Sequence, residues 1–324
     1  MGNRSPRFSG AVFDARRNAW RAMSSDGMPD RLPEAIEVGA GGALVRLSTD
    51  ASGGVRYDVR ADRWSPIAPA GAPSSRVGAA VVAADGRVMV WGGQGAGLST
   101  DGAVYDVRAD RWTPMSTAGA PSPRLAPFAA PTASGMVVWS GAAEHGSPAR
   151  LSDGGVYDAR ADRWTSIPAS GAPDPSIGGI FPQDLAWTGE ALLYRELPGP
   201  DRGLPRRLAL YDLARERWWR TAEASHVRPV VLAHGRVLLL DPAAPRVLHA
   251  REELACPVDL GRVPLFGNLS QGTSFAASAL IGDELVLWGR VDVEALRPPC
   301  PPGAPCMPAE SAVSALPRGV VITP

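Results

Sequence analysis

One eight-residue phrase returns along the chain. It reads Tyr57-Asp58-Val59-Arg60-Ala61-Asp62-Arg63-Trp64, recurs from Tyr105 to Trp112 and from Tyr157 to Trp164, and has looser copies from Phe13 to Trp20 and from Tyr211 to Trp218. The aromatic starts at 13, 57, 105, 157 and 211 lie 44, 48, 52 and 54 residues apart. Self-similarity at a period of about 40–50 residues marks a supersecondary unit that cannot bury its apolar face alone and must stack on its copies. That overrides the length prior, under which 324 residues would make about two domains. The expectation is one domain over residues 1–324, with an irregular Pro- and Cys-rich insertion at about 292–312.

Each full unit has two halves. In the first, Arg76 to Ala84 alternates apolar and polar positions, turns at Asp85-Gly86, and returns as Arg87 to Trp91 before Gly92-Gly93. Period-two apolar runs bounded by Asp-Gly and Gly-Gly predict a hairpin. In the second half, Gly102 to Asp106 and Arg111 to Met115 predict two further strands, with the Asp106 carboxylate bonding to backbone amides of the turn between them. Four antiparallel strands per unit make a propeller blade. First halves begin near Arg31, Arg76, Arg124, Ser176, Arg228 and Thr273; second halves begin at Phe13, Tyr57, Tyr105, Tyr157, Tyr211 and, in a copy that has lost both aromatics, Leu248. The chain thus opens on a second half and nearly closes on a first half. The fold class predicted is all-β: a propeller of six four-stranded blades, its ring closed by N- and C-terminal strands. The run from Val313 to Ile322 is left over: either it replaces part of the N-terminal contribution or it adds a partial seventh blade, the alternative count.

Lys+Arg and Asp+Glu are each 33, so no net field recruits nucleic acid or an anionic membrane. Every basic residue is arginine; GC-rich coding is the bland reading, and the physical consequence is that each cation is a planar fork suited to carboxylates. No segment approaches 18 continuous apolar residues, so no membrane span is expected. Residues Met1 to Asp14 lack an apolar signal core; with Met1 as the native start the expectation is cytoplasmic. With a leader removed and Cys300–Cys306 bridged it is periplasmic or secreted; bridge and free thiols both stay open, and Cys256 is the odd cysteine. No CxxC or HxxxH spacing points to zinc, and neither a metal nor a cofactor is expected.

These residues resemble kelch repeats, in which an apolar run ends in a Gly pair, followed by a Tyr and, one hairpin later, a Trp. Gly92-Gly93, Tyr105 and Trp112 fit that pattern, as do Ser140-Gly141, Tyr157 and Trp164. The resemblance runs from about Phe8 to Gly289 and implies a kelch-type β-propeller with Trp64, Trp112, Trp164 and Trp218 packed between blades. It also implies what to test for chemistry. The copper-radical oxidases built on this scaffold need two Tyr, two His and a Cys joined to one Tyr; the late cysteines and scattered histidines of this chain do not supply that set. No GxSxG, Walker or HExxH pattern occurs.

The informative residues break the repeat. Where two blades end their second strand on Gly92-Gly93 and Ser140-Gly141, others carry Arg195-Glu196 and Gly289-Arg290. In a meander the start of the first strand and the end of the second lie on one face. Arg31, Arg76, Arg124 and Arg228 are therefore expected to share a face with Arg195, Glu196 and Arg290, with His226 beside Arg228. In kelch proteins that capture acidic peptides, arginines at the head of the innermost strand line the pocket, and Arg76 and Arg124 match that placement. The bland alternative is that a recurring Arg ties blades together. The first functional expectation is a binding propeller that recognises an acidic peptide, a partner loop or a small carboxylate at an arginine-lined channel mouth. The second is a cofactor-independent isomerase, epimerase or lyase acting on a carboxylate-bearing substrate there, with Glu196, His145 or Glu144 as the acid/base candidate. Solvated loop residues are the alternative for His145 and His226. The connecting loops Gln94 to Asp101, Glu144 to Asp153 and Leu197 to Arg206 differ between units, and variable loops on a rigid scaffold are where recognition usually lies. The sequence is silent on oligomeric state.

Overall fold

The structure, a computed structural model, describes residues 10–14, 17, 19–29, 35–48, 50, 53–175, 185–196 and 207–221 in full, and beyond them strand backbone between 228 and 322. Among these residues the regular structure is all strand, and no helix is long and apolar enough to cross a membrane. Arg31, His226, the loop 197–206, Cys300, Cys306 and the 292–312 segment lie outside the described residues.

The chain forms two compact units, Met1–Trp187 and Thr188–Pro324. In the first, a two-stranded hairpin of β1 (Ala11–Asp14) and β2 (Ala19–Ala22) precedes three antiparallel meanders. These are β3 (Ala35–Ala40), β4 (Ala43–Ser48), β5 (Gly54–Asp58) and β6 (Arg63–Pro66); β7 (Ala80–Ala84), β8 (Arg87–Trp91), β9 (Gly102–Asp106) and β10 (Arg111–Pro114); and β11 (Phe128–Pro131), β12 (Gly135–Trp139), β13 (Gly154–Asp158) and β14 (Arg163–Ile167). The fourth sheet starts with β15 (Leu185–Trp187) and continues as β16 (Ala191–Arg195), β17 (Leu208–Asp212) and β18 (Arg217–Arg220). The second unit goes on with β19 (Arg228–Val231), β20 (Arg236–Leu240), β21 (Arg246–His249) and β22 (Leu254–Pro257), then β23 (Ser274–Ile281), β24 (Glu284–Arg290) and β25 (Arg318–Ile322).

The repeated phrase sets the register of each outer hairpin. Tyr57 faces Trp64, Tyr105 faces Trp112, Tyr157 faces Trp164 and Tyr211 faces Trp218 across the ladder. Phe13 faces Trp20 in the N-terminal hairpin, and Leu248 faces Ala255 in the copy without aromatics, so the frame survives loss of the rings. The loop between paired strands is closed as expected: Asp106 Oδ1 accepts the amides of Arg108 and Ala109 at 3.0 and 2.8 Å. Asp58, Asp158 and Asp212 do the same in their own turns. The second Asp of the phrase has a role that sequence reasoning missed. Asp62, Asp110 and Asp162 take left-handed backbone (φ 52, 50 and 47°), a region Asp tolerates, and each accepts a bond from the neighbouring Tyr hydroxyl. Each also reaches the preceding sheet's side: Asp62 Oδ1 accepts the amide of Ser24, Asp110 Oδ1 that of Ala68 and Asp162 Oδ1 that of Ser116.

The Tyr57 hydroxyl, with the Ser24 amide and the Arg21 guanidinium, pushes the Asp62 carboxyl down to about 2. Its folded value lies below the unfolded value of about 3.9, so this contribution to stability is present above pH ~4 and is lost as pH falls toward 2. The expected result is a carboxyl-carbon NMR titration of Asp62 with its midpoint near 2 in the wild type, moved toward the ordinary Asp value in Tyr57→Phe. An unchanged midpoint in Tyr57→Phe contradicts the assignment.

Within the first unit β7 packs beside β3 on one side and β11 on the other, and β11 packs beside β15. The first strands of successive sheets are thus neighbours, and the sheets fan outward from them. This is a β-propeller-like arrangement. Side chains on alternate positions of β8 serve two cores, as the period of a strand requires. Val88 and Val90 join Val45, Leu47 and Ile67 of the first sheet, while Met89 and Trp91 join Met136, Val138, Tyr157 and Trp164 of the third. The repeated aromatics are therefore inter-sheet packing. In the second unit Leu193, Leu210, Trp219 and Val237 form the corresponding core.

Two expectations change. The run Arg76 to Ala84 was expected to be one strand, but β7 begins at Ala80. Gly78 takes φ 64°, and its counterpart Ala126 takes φ 48°, so the backbone turns before the ladder begins. Second, of the two ways to extend the sheet of β23 and β24, the C-terminal run and not the N-terminal strands is found: β25 stands beside β24 and pairs Val320 with Leu287 and Val321 with Val286. The run Gly319-Val320-Val321-Ile322 has the β-branched composition of a strand. The hairpin β1–β2 stands as its own sheet.

Candidate functional site

The left-handed break at Gly78 and Ala126 decides where the two central arginines go. Both side chains turn into their own sheet: Arg76 is 1% exposed and Arg124 0%. Arg76 donates from Nε to the Ser74 carbonyl at 2.8 Å and from Nη2 to Ser74 Oγ at 2.7 Å. Its Nη1 bonds the carbonyls of Gly92 and Asp101 at 3.4 and 3.1 Å and Asp101 Oδ1 at 2.8 Å. Arg124 repeats the pattern one sheet later. Nε and Nη2 bond the Ser122 carbonyl and Oγ, each at 2.8 Å. Nη1 bonds the carbonyls of Ser140 and Asp153 at 3.0 and 2.8 Å, and Nη2 bonds the Asp153 carboxylate at 2.9 and 3.1 Å. Burial lowers the Arg124 pKa, an effect that Asp153 opposes. The hydrogen bond from Arg76 holds the Asp101 carboxyl below its usual value.

These guanidinium groups are buried and turned toward protein. All their donor directions are committed to neighbouring protein groups, so neither presents a free fork to a ligand. Each ties together three places: the segment before the first strand, the residue just after the second, and the residue just before the third. Gly92 and Asp101 bound one connecting loop, and Ser140 and Asp153 bound the next. The arginines therefore clamp both ends of the loops that differ most between repeats. Gly93 completes the clamp from the other side, since a Cβ there would meet the Val77 carbonyl at 2.8 Å and the Ala79 amide at 2.9 Å. At this end of the sheets the aliphatic residue after each arginine is exposed in part: Val77 is 53% exposed, and Leu125 lies over Gly78.

The other expected residues fall in several places. Glu144 and His145 are exposed in the loop after β12. In the second unit Arg195 ends β16 half-buried, and Glu196 Oε1 accepts from Arg220 Nε at 2.9 Å, an ion pair between strand ends of one sheet. Arg195 and Glu196 stand where other sheets have a left-handed pair, yet their own backbone stays outside that region, which is how a charged pair is accommodated there. Arg228 opens β19 opposite Leu240 and Arg290 closes β24 opposite Ser274, and only their backbone is described. Among the described residues no group of three or more His, Cys, Asp or Glu side chains gathers in a way that would hold a metal ion.

No protein-family model matches this chain, and no curated protein matches it either.

Proposed function

We propose that the chain is a kelch-type β-propeller in which residues 1–324 make one domain of six blades, with the ring completed by its terminal strands, and that it serves as a binding module for a loop or peptide of a partner protein. The observation that carries this reading is the double clamp. Arg76 fixes Gly92 and Asp101, Arg124 fixes Ser140 and Asp153, and the loops they bound differ in length and sequence. Holding the ends of a variable loop lowers the entropy lost when that loop is ordered on a partner. The recurring Gly pairs, Tyr–Trp pairs and first-strand neighbours support the kelch and ring readings.

Recognition in this reading passes from the guanidinium groups to what they hold in place. Gln94 to Thr100, Glu144 to Arg150 and the exposed Val77 form the surface offered.

Peptide display against the full chain tests this. Peptides selected on the wild type are expected to lose about tenfold or more in affinity, roughly 1.4 kcal/mol, when residues 144–150 are replaced by a Gly-Ser linker of the same length. The melting temperature should stay within about 2 °C, because the clamp residues are untouched. Selected peptides that bind both proteins equally overturn the reading.

A further inference from the structure

At the opposite end of the strands, a hairpin turn of the third sheet is tied to one of the second by an interaction whose counterpart one sheet earlier lacks a member. Arg160, in the β13–β14 turn of the third sheet, reaches back to the second sheet and bonds Asp85 Oδ2 from Nε at 3.2 Å and from Nη2 at 2.9 Å. Asp85 is the first residue of the β7–β8 turn, with φ 48°. Arg108 holds the place of Arg160 one sheet earlier. Its turn is built the same way, with Asp106 closing on the amides of Arg108 and Ala109 as Asp158 closes on those of Arg160 and Ala161. The residue it should meet on the first sheet is the first of the β3–β4 turn. The ladder pairs Ala40 with Ala43 as it pairs Ala84 with Arg87, so that residue is Gly41. The repeat has put a glycine where its neighbour has a carboxylate.

Two consequences are visible. The Arg108 guanidinium is exposed and has no hydrogen-bond or ion-pair partner among the described residues. A groove of about 520 Å³ lies there, lined by Gly41, Asp85, Gly86, Arg87, Asp106 and Arg108. Its two carboxylates are already engaged. Asp85 is paired with Arg87 at 3.0 Å and with Arg160, and Asp106 accepts its own turn amides. Of the four charged side chains that line the groove, two arginines and two carboxylates, Arg108 alone is left without a bonded partner.

We propose that this groove is a binding site for a small carboxylate, in which Arg108 takes an external carboxylate group as Arg160 takes the Asp85 side chain. The site is independent of the loop face and of its partner. Arg is suited to the task because its planar fork engages a carboxylate directionally. The groove volume is in the range that accommodates a small organic acid rather than a bare ion. The lining also tells the ligand's sign: an anion meets Arg108, whereas a cation would meet carboxylates that already have partners.

The test uses the full chain with arginine side chains labelled with ¹⁵N. Sodium succinate is titrated in at constant ionic strength, with sodium phosphate and sodium chloride as parallel arms. The Arg108 Nε–Hε signal is expected to shift and saturate with succinate, and to do so weakly or not at all with chloride. A saturating shift with phosphate and none with succinate makes the site a phosphate site and overturns the carboxylate assignment. Arg108→Gln should abolish the saturable response elsewhere in the groove. Gly41→Asp restores the missing internal partner: position 41 has φ 57°, near that of Asp85, and an added Cβ meets Val107 at 3.4 Å, an ordinary contact. That variant should show the Arg108 signal already displaced without ligand and succinate affinity reduced at least tenfold. Wild-type affinity in Gly41→Asp, or a response linear in every salt alike, overturns the proposal.

Discussion

The double variant Arg76→Ala/Arg124→Ala is expected to be largely unfolded at room temperature, and each single variant to fold with a lowered melting point. Removing one member of a buried, hydrogen-bonded ion pair costs about 3–5 kcal/mol, chiefly because the partners left behind lose their bonds while staying desolvated. Here each arginine leaves behind the Ser74 or Ser122 carbonyl, the ends of a loop, and the carboxylate of Asp101 or Asp153. The partner carboxylates are more exposed than the guanidinium groups, at 56% and 36% of their side chains, so water recovers part of their loss and the lower end of that range is the better expectation. The two clamps sit in different sheets but touch where the Gly93 amide donates to the Arg124 carbonyl at 3.0 Å, so their costs couple instead of simply adding; the double loss should still exceed either single one and approach the whole stability of an ordinary domain. Arg124→Lys discriminates charge from geometry. A lysine keeps the positive charge but cannot span Ser122, Ser140 and Asp153 at once, so it should recover only a minor part of the loss. Circular dichroism melts of the four variants check this. Wild-type melting in both single alanine variants would contradict the clamp.

The clamp also predicts how acid acts on the fold. Asp101 is held below the usual carboxylate range by the Arg76 bond, so its contribution is complete at neutral pH and fades as pH falls through that depressed value.

Much of this was legible in the sequence, and the boundary falls at particular residues. The phrase from Tyr105 to Trp112 carries its own register, because an aromatic pair, a turn-closing Asp and a left-handed Asp are all local. The frame was readable even at Leu248 to Ala255, where nothing but spacing remained. What did not follow was the direction of Arg76 and Arg124. A period-two run leads straight into each first strand, and only the positive φ at Gly78 and Ala126 reverses the side chain that precedes it. A signal was nonetheless present. Ser74 and Ser122 stand two residues before each arginine, and Asp101 and Asp153 stand immediately before each third strand. Where Ser176 replaces the arginine in the fourth unit, Arg207 replaces the Asp, so both halves of the clamp change together. Arg31 and Arg228 have Gly53 and Pro245 before their third strands and lack the acidic half, and Arg228, opposite Leu240, holds the register place of Ala80 and Phe128 instead of that of Arg76 and Arg124. The Arg108–Gly41 mismatch was hidden for a different reason. It becomes visible only once the ladder register aligns one turn with the next and Arg160 shows what the aligned residues do.

Trp164→Ala is expected to cost about 3–5 kcal/mol, the usual range for emptying a large aromatic site in a core. The ring is 5% exposed and lies between two sheets. It meets Tyr157 of its own sheet at 5.1 Å and Trp91 of the preceding sheet at 5.4 Å, both tilted, and its Nε1 donates to the Ser116 carbonyl at 2.9 Å. Truncation therefore opens a cavity between sheets that neither can fill alone, because each is held by its own ladder. For a chain of this size a loss of that order corresponds to a fall of roughly 10 °C in melting temperature. Trp164→Phe separates the two contributions. It keeps most of the packing and leaves the Ser116 carbonyl without its donor, so it should cost about 1–2 kcal/mol. The ordering expected in calorimetry is wild type, then Phe, then Ala, with the larger step at the second change. If the Phe variant fell nearly as far as the Ala variant, the hydrogen bond to Ser116 rather than the packed ring would be what joins the second and third sheets.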